Sequence, residues 1–277
     1  MDYAPLLLSM SYLHKSTIRK ATFIMVFCIF TLIFGMPFVN AQSIAIQKSP
    51  YMDNVRFDGQ WSFAKEWKES SSSQITTEIA GTEGIIPIRT AHYGDFIYIL
   101  LDVVPDKSND KNQDWGVVCF DTKSDKNAKP DKNDYCFMKK LGSDKVVTMQ
   151  GNDSDELVVL ENHADLIGIG GFSTDRYSQK NHANYEFRIP LELLERNNEY
   201  GFYVAAFDFS KSETYTWPQE IDLENSEIPS PNKWGMIYSP DKTIPEFQEI
   251  ALMVLGGSIA LVIVFARKFK AMNRFTQ

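Results

Sequence analysis

Between about residue 42 and residue 240 the chain alternates apolar and polar positions with a period of two. Such alternation sends neighbouring side chains to opposite faces of a sheet and predicts half-buried strands. The pattern places strands at residues 44–47, 74–79, 85–93, 96–104, 115–121, 134–138, 145–150, 156–161, 183–189, 201–209 and 234–238. Residues 96–101 and 202–207 are apolar at both parities and predict strands covered on both faces. Helical signals are confined to 61–69, with Ala64, and to 191–196, where Pro190 suits the first helical position. No repeat of 20–50 residues interrupts the pattern. About ten short strands separated by turn residues predict an all-β antiparallel sandwich, immunoglobulin-like or jelly-roll-like.

The two ends break the alternation. Residues 21–34 form an apolar run behind Lys15, Arg19 and Lys20, and Gly35 and Pro37 close it. Val39-Asn40-Ala41 then offers a small-x-small cleavage site, so 1–41 is expected to be a signal peptide. A second run, 250–266, carries no charge and is followed at once by Arg267, Lys268, Lys270 and Arg274. At a rise of about 1.5 Å per residue it just crosses a bilayer core of about 30 Å. The basic tail 267–277 sets that end in the cytoplasm by the positive-inside rule. The expected product is a single-pass cell-surface protein, with an ectodomain at 42–238, a short stalk at 239–249 and a transmembrane helix at 250–266.

Charge then changes the picture of the middle. The whole chain carries −8, of which residues 1–41 contribute +2 and residues 250–277 contribute +4, leaving −14 on residues 42–249. A domain that anionic is a poor partner for nucleic acid or anionic lipid, and suits cations or neutral ligands. Of three cysteines, Cys28 falls in the signal segment, leaving Cys119 and Cys136 as a pair in a disulfide-permissive compartment. A bridge there would contribute about 3 kcal/mol by the chain-entropy argument.

Two resemblances add to this reading. Pro245-Glu246-Phe247, the apolar run and the basic tail together resemble the PEF-type C-terminal sorting signals of archaeal surface proteins. That resemblance implies a membrane transpeptidase (archaeosortase) as processing partner; the Gly that follows Phe in a family variant is Gln248 here. The second resemblance runs through Phe57-Asp58-Gly59 with Trp61, Ala64 and Trp67, then Tyr93-Gly94-Asp95-Phe96-Ile97-Tyr98-Ile99. It continues through 115–121 and Tyr135, and ends on 185–191, 201–208 and Trp217. These segments, in this order, are similar to the family-9 carbohydrate-binding-module-like (DOMON-like) β-sandwich. The family binds sugars in some members and haem in others, so the fold alone leaves the ligand open.

Candidate chemistry follows from that. Sugar binding needs flat aromatic faces beside hydrogen-bonding side chains. Trp217 and Trp234, among Tyr215, Gln219, Asn232 and Lys233, are the stacking candidates, with Trp61 as a third, whereas Trp67 is assigned to the core. Calcium takes six to eight oxygens, and Asp121, Asp125, Asp131 and Asp134 lie in one oxygen-rich connection, although five lysines in or beside it oppose a bound ion. For haem, His92, His163, His182, Met138 and Met149 are the available ligand types, and there is no Cys-x-x-Cys-His. Asn152-Asp153-Ser154 fits the N-glycosylation pattern. There is no Gly-x-Ser-x-Gly, His-Glu-x-x-His or phosphate-cradling glycine loop, so no catalytic residue is assigned, and carboxylate-pair glycoside hydrolysis stays open. The expectation is a non-enzymatic carbohydrate-binding surface module facing an envelope glycan. A structural acidic surface domain and a haem electron carrier are the alternatives.

Overall fold

The computed structural model describes residues 42–61, 66–79, 82–219 and 228–242. The signal-like segment 1–41, the Pro245-Glu246-Phe247 triplet and the run 250–266 lie outside these residues. Among the described residues no helix is long and apolar enough to cross a membrane.

The strands in chain order are β1 (Ser43–Ala45), β2 (Gln47–Lys48), β3 (Ser71–Ile79), β4 (Thr82–Tyr93), β5 (Phe96–Val103), β6 (Trp115–Asp121) and β7 (Asp134–Lys140). Then come β8 (Val146–Gly151), β9 (Leu157–Leu160), β10 (Ile167–Ser173), β11 (His182–Pro190), β12 (Glu199–Asp208), β13 (Glu213–Trp217) and β14 (Gly235–Tyr238). A single-turn helix, α1 (Leu191–Leu194), joins β11 to β12. The larger sheet runs β1-β14-β12-β6-β7-β8-β9, with β13 beside β12, and the smaller runs β10-β11-β5-β4-β2, with β3 beside β4.

The two sheets meet face to face. Ile97, Ile99, Leu101 and Val103 of β5 point between them and join Phe120 of β6 and Phe202 and Val204 of β12 in one buried cluster. Each such side chain withdrawn from water contributes about 1.5–3 kcal/mol. The alternate residues Tyr98 and Leu100 face outward, where Met52, Trp61 and Trp67 cover them. Likewise Tyr203 and Ala205 of β12 face out under Trp234. This is why both strands read as apolar at either parity.

Pairing is antiparallel except at β1–β14 and β2–β4, which are parallel. The exception to the antiparallel expectation comes from the first described strand segment. Residues 43–45 pair with the larger sheet and 47–48 with the smaller, while Ile44 and Ile46 both bury in the shared core. Two strands were not expected from the pattern, β10 and β13. β10 reads Ile-Gly-Ile-Gly-Gly-Phe-Ser, and its glycines hide a strand signal. They are there because the backbone packs closely: a Cβ on Gly59, which itself sits at φ +74°, would come within 2.6 Å of Gly171 Cα.

The helix expected over 61–69 is not formed in its described part, where residues 66–70 make bends and turns. Pro190 precedes α1 as its N-cap, with ψ 130°, one position earlier than expected. The folded region also runs past Tyr238. Ser239 is buried, its N–H donates to Asn198 O at 2.8 Å, and Asp241 lies 3.4 Å from His92 Nε2. The disulfide forms as expected: Cys119 and Cys136 stand directly opposite on β6 and β7, bridged, with Cα atoms 4.1 Å apart.

Candidate ligand face and buried carboxylates

The three tryptophans expected to stack on sugar are all buried. Trp217 is 5% exposed, packed on Phe202 at 5.6 Å, and its ring fills the space that a Cβ on Gly235 would take. Trp234 is 3% exposed, lies nearly parallel to Tyr203, and donates its indole N–H to Pro229 O at 2.8 Å. Trp61 is 5% exposed, against Tyr177 at 5.3 Å. None of the three turns an open ring face outward.

The fifth tryptophan is less covered. Trp115, at the start of β6, is half-buried on the outer face of the larger sheet. It pairs with Phe207 on β12 and Lys140 on β7, and Phe207 pairs in turn with Thr214 on β13. Four strands thus lay Thr214, Phe207, Trp115 and Lys140 in one row across the sheet. The rings of Trp115 and Phe207 are 5.6 Å apart and 19° from parallel. Phe209, 47% exposed, meets Phe207 edge-on at 6.5 Å. This is a strip built on two stacked aromatic rings, with an ammonium at one end and a hydroxyl at the other. The sequence signal for it was available: Trp115 and Phe207 share the parity of Val117 and Ala205 on strands predicted correctly, but the pairing of β6 with β12 is not visible in sequence.

Buried carboxylates stand beside this strip. Asp106, Asp114 and Asp208 each bring one oxygen within 4.8 Å of the others. Asp114 accepts from Phe209 N–H at 3.0 Å and so fixes the backbone that carries the exposed ring. Asp208 holds the Lys211 ammonium at 2.8 Å, and Asp106 accepts twice from Ser108. Burial lifts the Asp106 carboxyl to about 7, helped by the negative charge of Asp208 and Asp114. A second group, Asp102, Asp175 and His182, lies on the outer face of the smaller sheet.

The four carboxylates expected to hold calcium are not among these groups. Asp121 accepts from the Lys123 and Lys126 amides, Asp131 from the Asn133 amide and the Asn127 side chain, and Asp134 from the Asp131 amide. Asp125 is exposed. Most of these oxygens cap the loop's own backbone, and the carboxylates stand near enough for Asp121, Asp125 and Asp131 to raise the Asp134 carboxyl beyond the effect of its burial. Lys129 and Lys132 turn outward to Asp155 and Asp153, at exposed pairs worth little energy. Asn152 sits in the β8–β9 turn, its Oδ1 accepting from the Ser154 and Glu156 amides.

The residue types expected for haem are dispersed. Met138 and Met149 pack on the outer face of the larger sheet, and His182 is buried on the smaller. His92 lines a cleft of about 390 Å³ together with Lys48, Tyr93, Arg196 and Tyr200. His163 faces Glu192 at 3.3 Å.

Compared with known proteins, the chain matches no family model and no curated protein. Among solved structures it is similar to a carbohydrate binding module family 9 from Caldicellulosiruptor kristjanssonii in complex with cellotriose. That similarity has 13% sequence identity and a TM-score of 0.45, and it covers 74% of this chain and 98% of the other.

Proposed function

We propose that this chain is an exported, membrane-anchored surface module that binds carbohydrate through the Trp115 strip. The observation that carries the reading is that, of five tryptophans, Trp115 alone is left outside the buried set, stacked with Phe207 and flanked by Lys140 and Thr214. The part of the Trp115 indole left uncovered suits the C–H face of a pyranose, and the ammonium and hydroxyl suit its ring substituents. The −14 charge on residues 42–249 favours a neutral glycan over an acidic one. The Cys119–Cys136 bridge supports export, because such bonds persist in oxidising compartments. The basic tail behind residues 250–266 supports anchoring with the sandwich outside. The role is binding, with no catalytic residue assigned.

The test is calorimetry or affinity electrophoresis of the purified protein against neutral polysaccharides and envelope glycans. Binding that Trp115→Ala abolishes supports the reading; binding unchanged by Trp115→Ala, or no binding to any glycan, overturns it.

A further inference from the structure

We infer that Asp102, Asp175, His182 and Asn184 form a binding site for a single divalent transition-metal cation on the outer face of the smaller sheet. Asp102 on β5 stands directly opposite Asn184 on β11, and His182 lies two residues before Asn184, so all three share one face. Asp175 reaches the group from the connection between β10 and β11, with Oδ2 at 3.7 Å from His182 Nε2. One ligand atom from each of Asp102, Asp175 and His182 lies within 4.8 Å of the others.

The tautomer of the imidazole is set by its surroundings. His182 Nδ1 lies 2.9 Å from the Lys180 carbonyl, which can only accept, so Nδ1 carries a proton. Nε2 faces Asp102 Oδ1 at 2.6 Å, so in the ion-free protein a proton lies between them. A divalent ion would take the place of that proton on a neutral ring. A backbone carbonyl holding the far nitrogen while the near one faces carboxylates is the arrangement that orients a metal-binding histidine.

Asn184 supplies the independent observation. It is 1% exposed and its Nδ2 donates to Ser173 Oγ at 2.9 Å. Ser173 belongs to β10, on one side of β11, whereas Asp102 belongs to β5 on the other. The amide oxygen is therefore turned toward Asp102, and it has no donor. Asp102 Oδ2 is likewise buried without a donor. A protonated imidazole would satisfy Nε2 alone, and a proton shared between Asp102 and Asp175 would still leave the Asn184 oxygen unserved. The nearby Lys107 ammonium is used on Ser178 Oγ at 2.7 Å.

Charge closes with the same stoichiometry. Two carboxylates and a neutral imidazole carry −2, which one divalent ion cancels. One nitrogen and three oxygens, with no sulfur, suit zinc, manganese or iron(II) rather than calcium, which prefers oxygen alone.

The experiment uses the full-length protein in detergent, stripped with chelator and titrated separately with zinc, manganese and calcium chlorides, with bound metal counted by mass spectrometry. One equivalent of zinc or manganese is expected per chain, at least tenfold tighter than calcium. Asp175→Asn, a loop position, should weaken it at least tenfold, and Asp106→Asn should not change it. Imidazole nitrogen NMR on the unaltered protein guards against a variant that fails to fold: the His182 Nε2 signal should move from protonated to metal-bound on titration. No stoichiometric binding, a calcium preference, loss with Asp106→Asn instead, or an Nε2 signal that stays protonated in excess metal would each overturn the site.

Discussion

Glu186 offers a quantitative test of how the segment around residues 50–70 is fastened to the smaller sheet. Its carboxylate is fully buried on the outer face of β11, where it accepts Gly59 N–H at 2.9 Å and Trp67 Nε1–H at 3.1 Å. Burial, only partly offset by those two bonds, lifts the carboxyl from 4.5 to about 7. At about 1.36 kcal/mol per pH unit, that gap corresponds to about 3 kcal/mol. The folded state holds the proton more tightly than the unfolded chain. The associated stability is therefore fully present below pH 4.5 and is lost as pH rises through about 7. Glu186→Gln stays neutral throughout but turns an amide N–H toward one of the two donors, which costs about 1–3 kcal/mol. The variant should thus be clearly less stable than the wild type at pH 4.5, and the deficit should shrink or reverse by pH 8. Urea unfolding of both proteins at the two pH values measures this. Asp106 and Asp134, also lifted to about 7, are common to both proteins and cancel in the difference. A wild-type-minus-variant difference equal at the two pH values, within about 0.5 kcal/mol, would refute the reasoning.

Three further outcomes follow from the same structure. Trp115→Ala should lower glycan affinity at least tenfold, about 1.4 kcal/mol, while Trp234→Phe leaves it unchanged; calorimetry compares them. Cys119→Ser should lower unfolding stability by about 3 kcal/mol without altering glycan binding, measured by urea unfolding with and without reductant. Gly171→Ala should lower the melting temperature by several degrees, since the added methyl overlaps Gly59 O and separates the 50–70 segment from β10.

Most strands were legible because burial on one face imposes a period of two, and the 115–121 strand was predicted to the residue. β10 was not, because close approach to Gly59 demands glycines that weaken the pattern. The Phe57-Asp58-Gly59 and Trp67 motif was legible as a signature, but its physical content lay elsewhere in the chain: both residues are donors to Glu186, more than a hundred positions on. The ligand face suffered from the same distance. Sequence ranks tryptophans by their loop neighbours, which favoured Trp217 and Trp234; exposure depends on what crosses over them, and Gly235, Tyr203 and Pro229 do so.

The acidity of the chain also changes meaning once the carboxylates are placed. Read as composition, −14 describes a surface. Yet Asp102, Asp106, Asp114, Asp121, Asp134, Glu186 and Asp208 are each at most 1% exposed. Six of these seven lie within three residues of one end of a strand, four at or past its last residues and two at or before its first, where loop amides need acceptors that no ladder supplies. Asp121 spends both oxygens on amides of its own loop and Asp134 spends one, so the most aspartate-rich connection in the sequence serves mainly to cap its own backbone. Asp102 differs: its partner is an imidazole already held from behind by a carbonyl, and a buried amide oxygen without a donor, that of Asn184, stands opposite it on β11. Local density of acidic residues therefore points away from the cation site, and the surplus of acceptors over donors points to it.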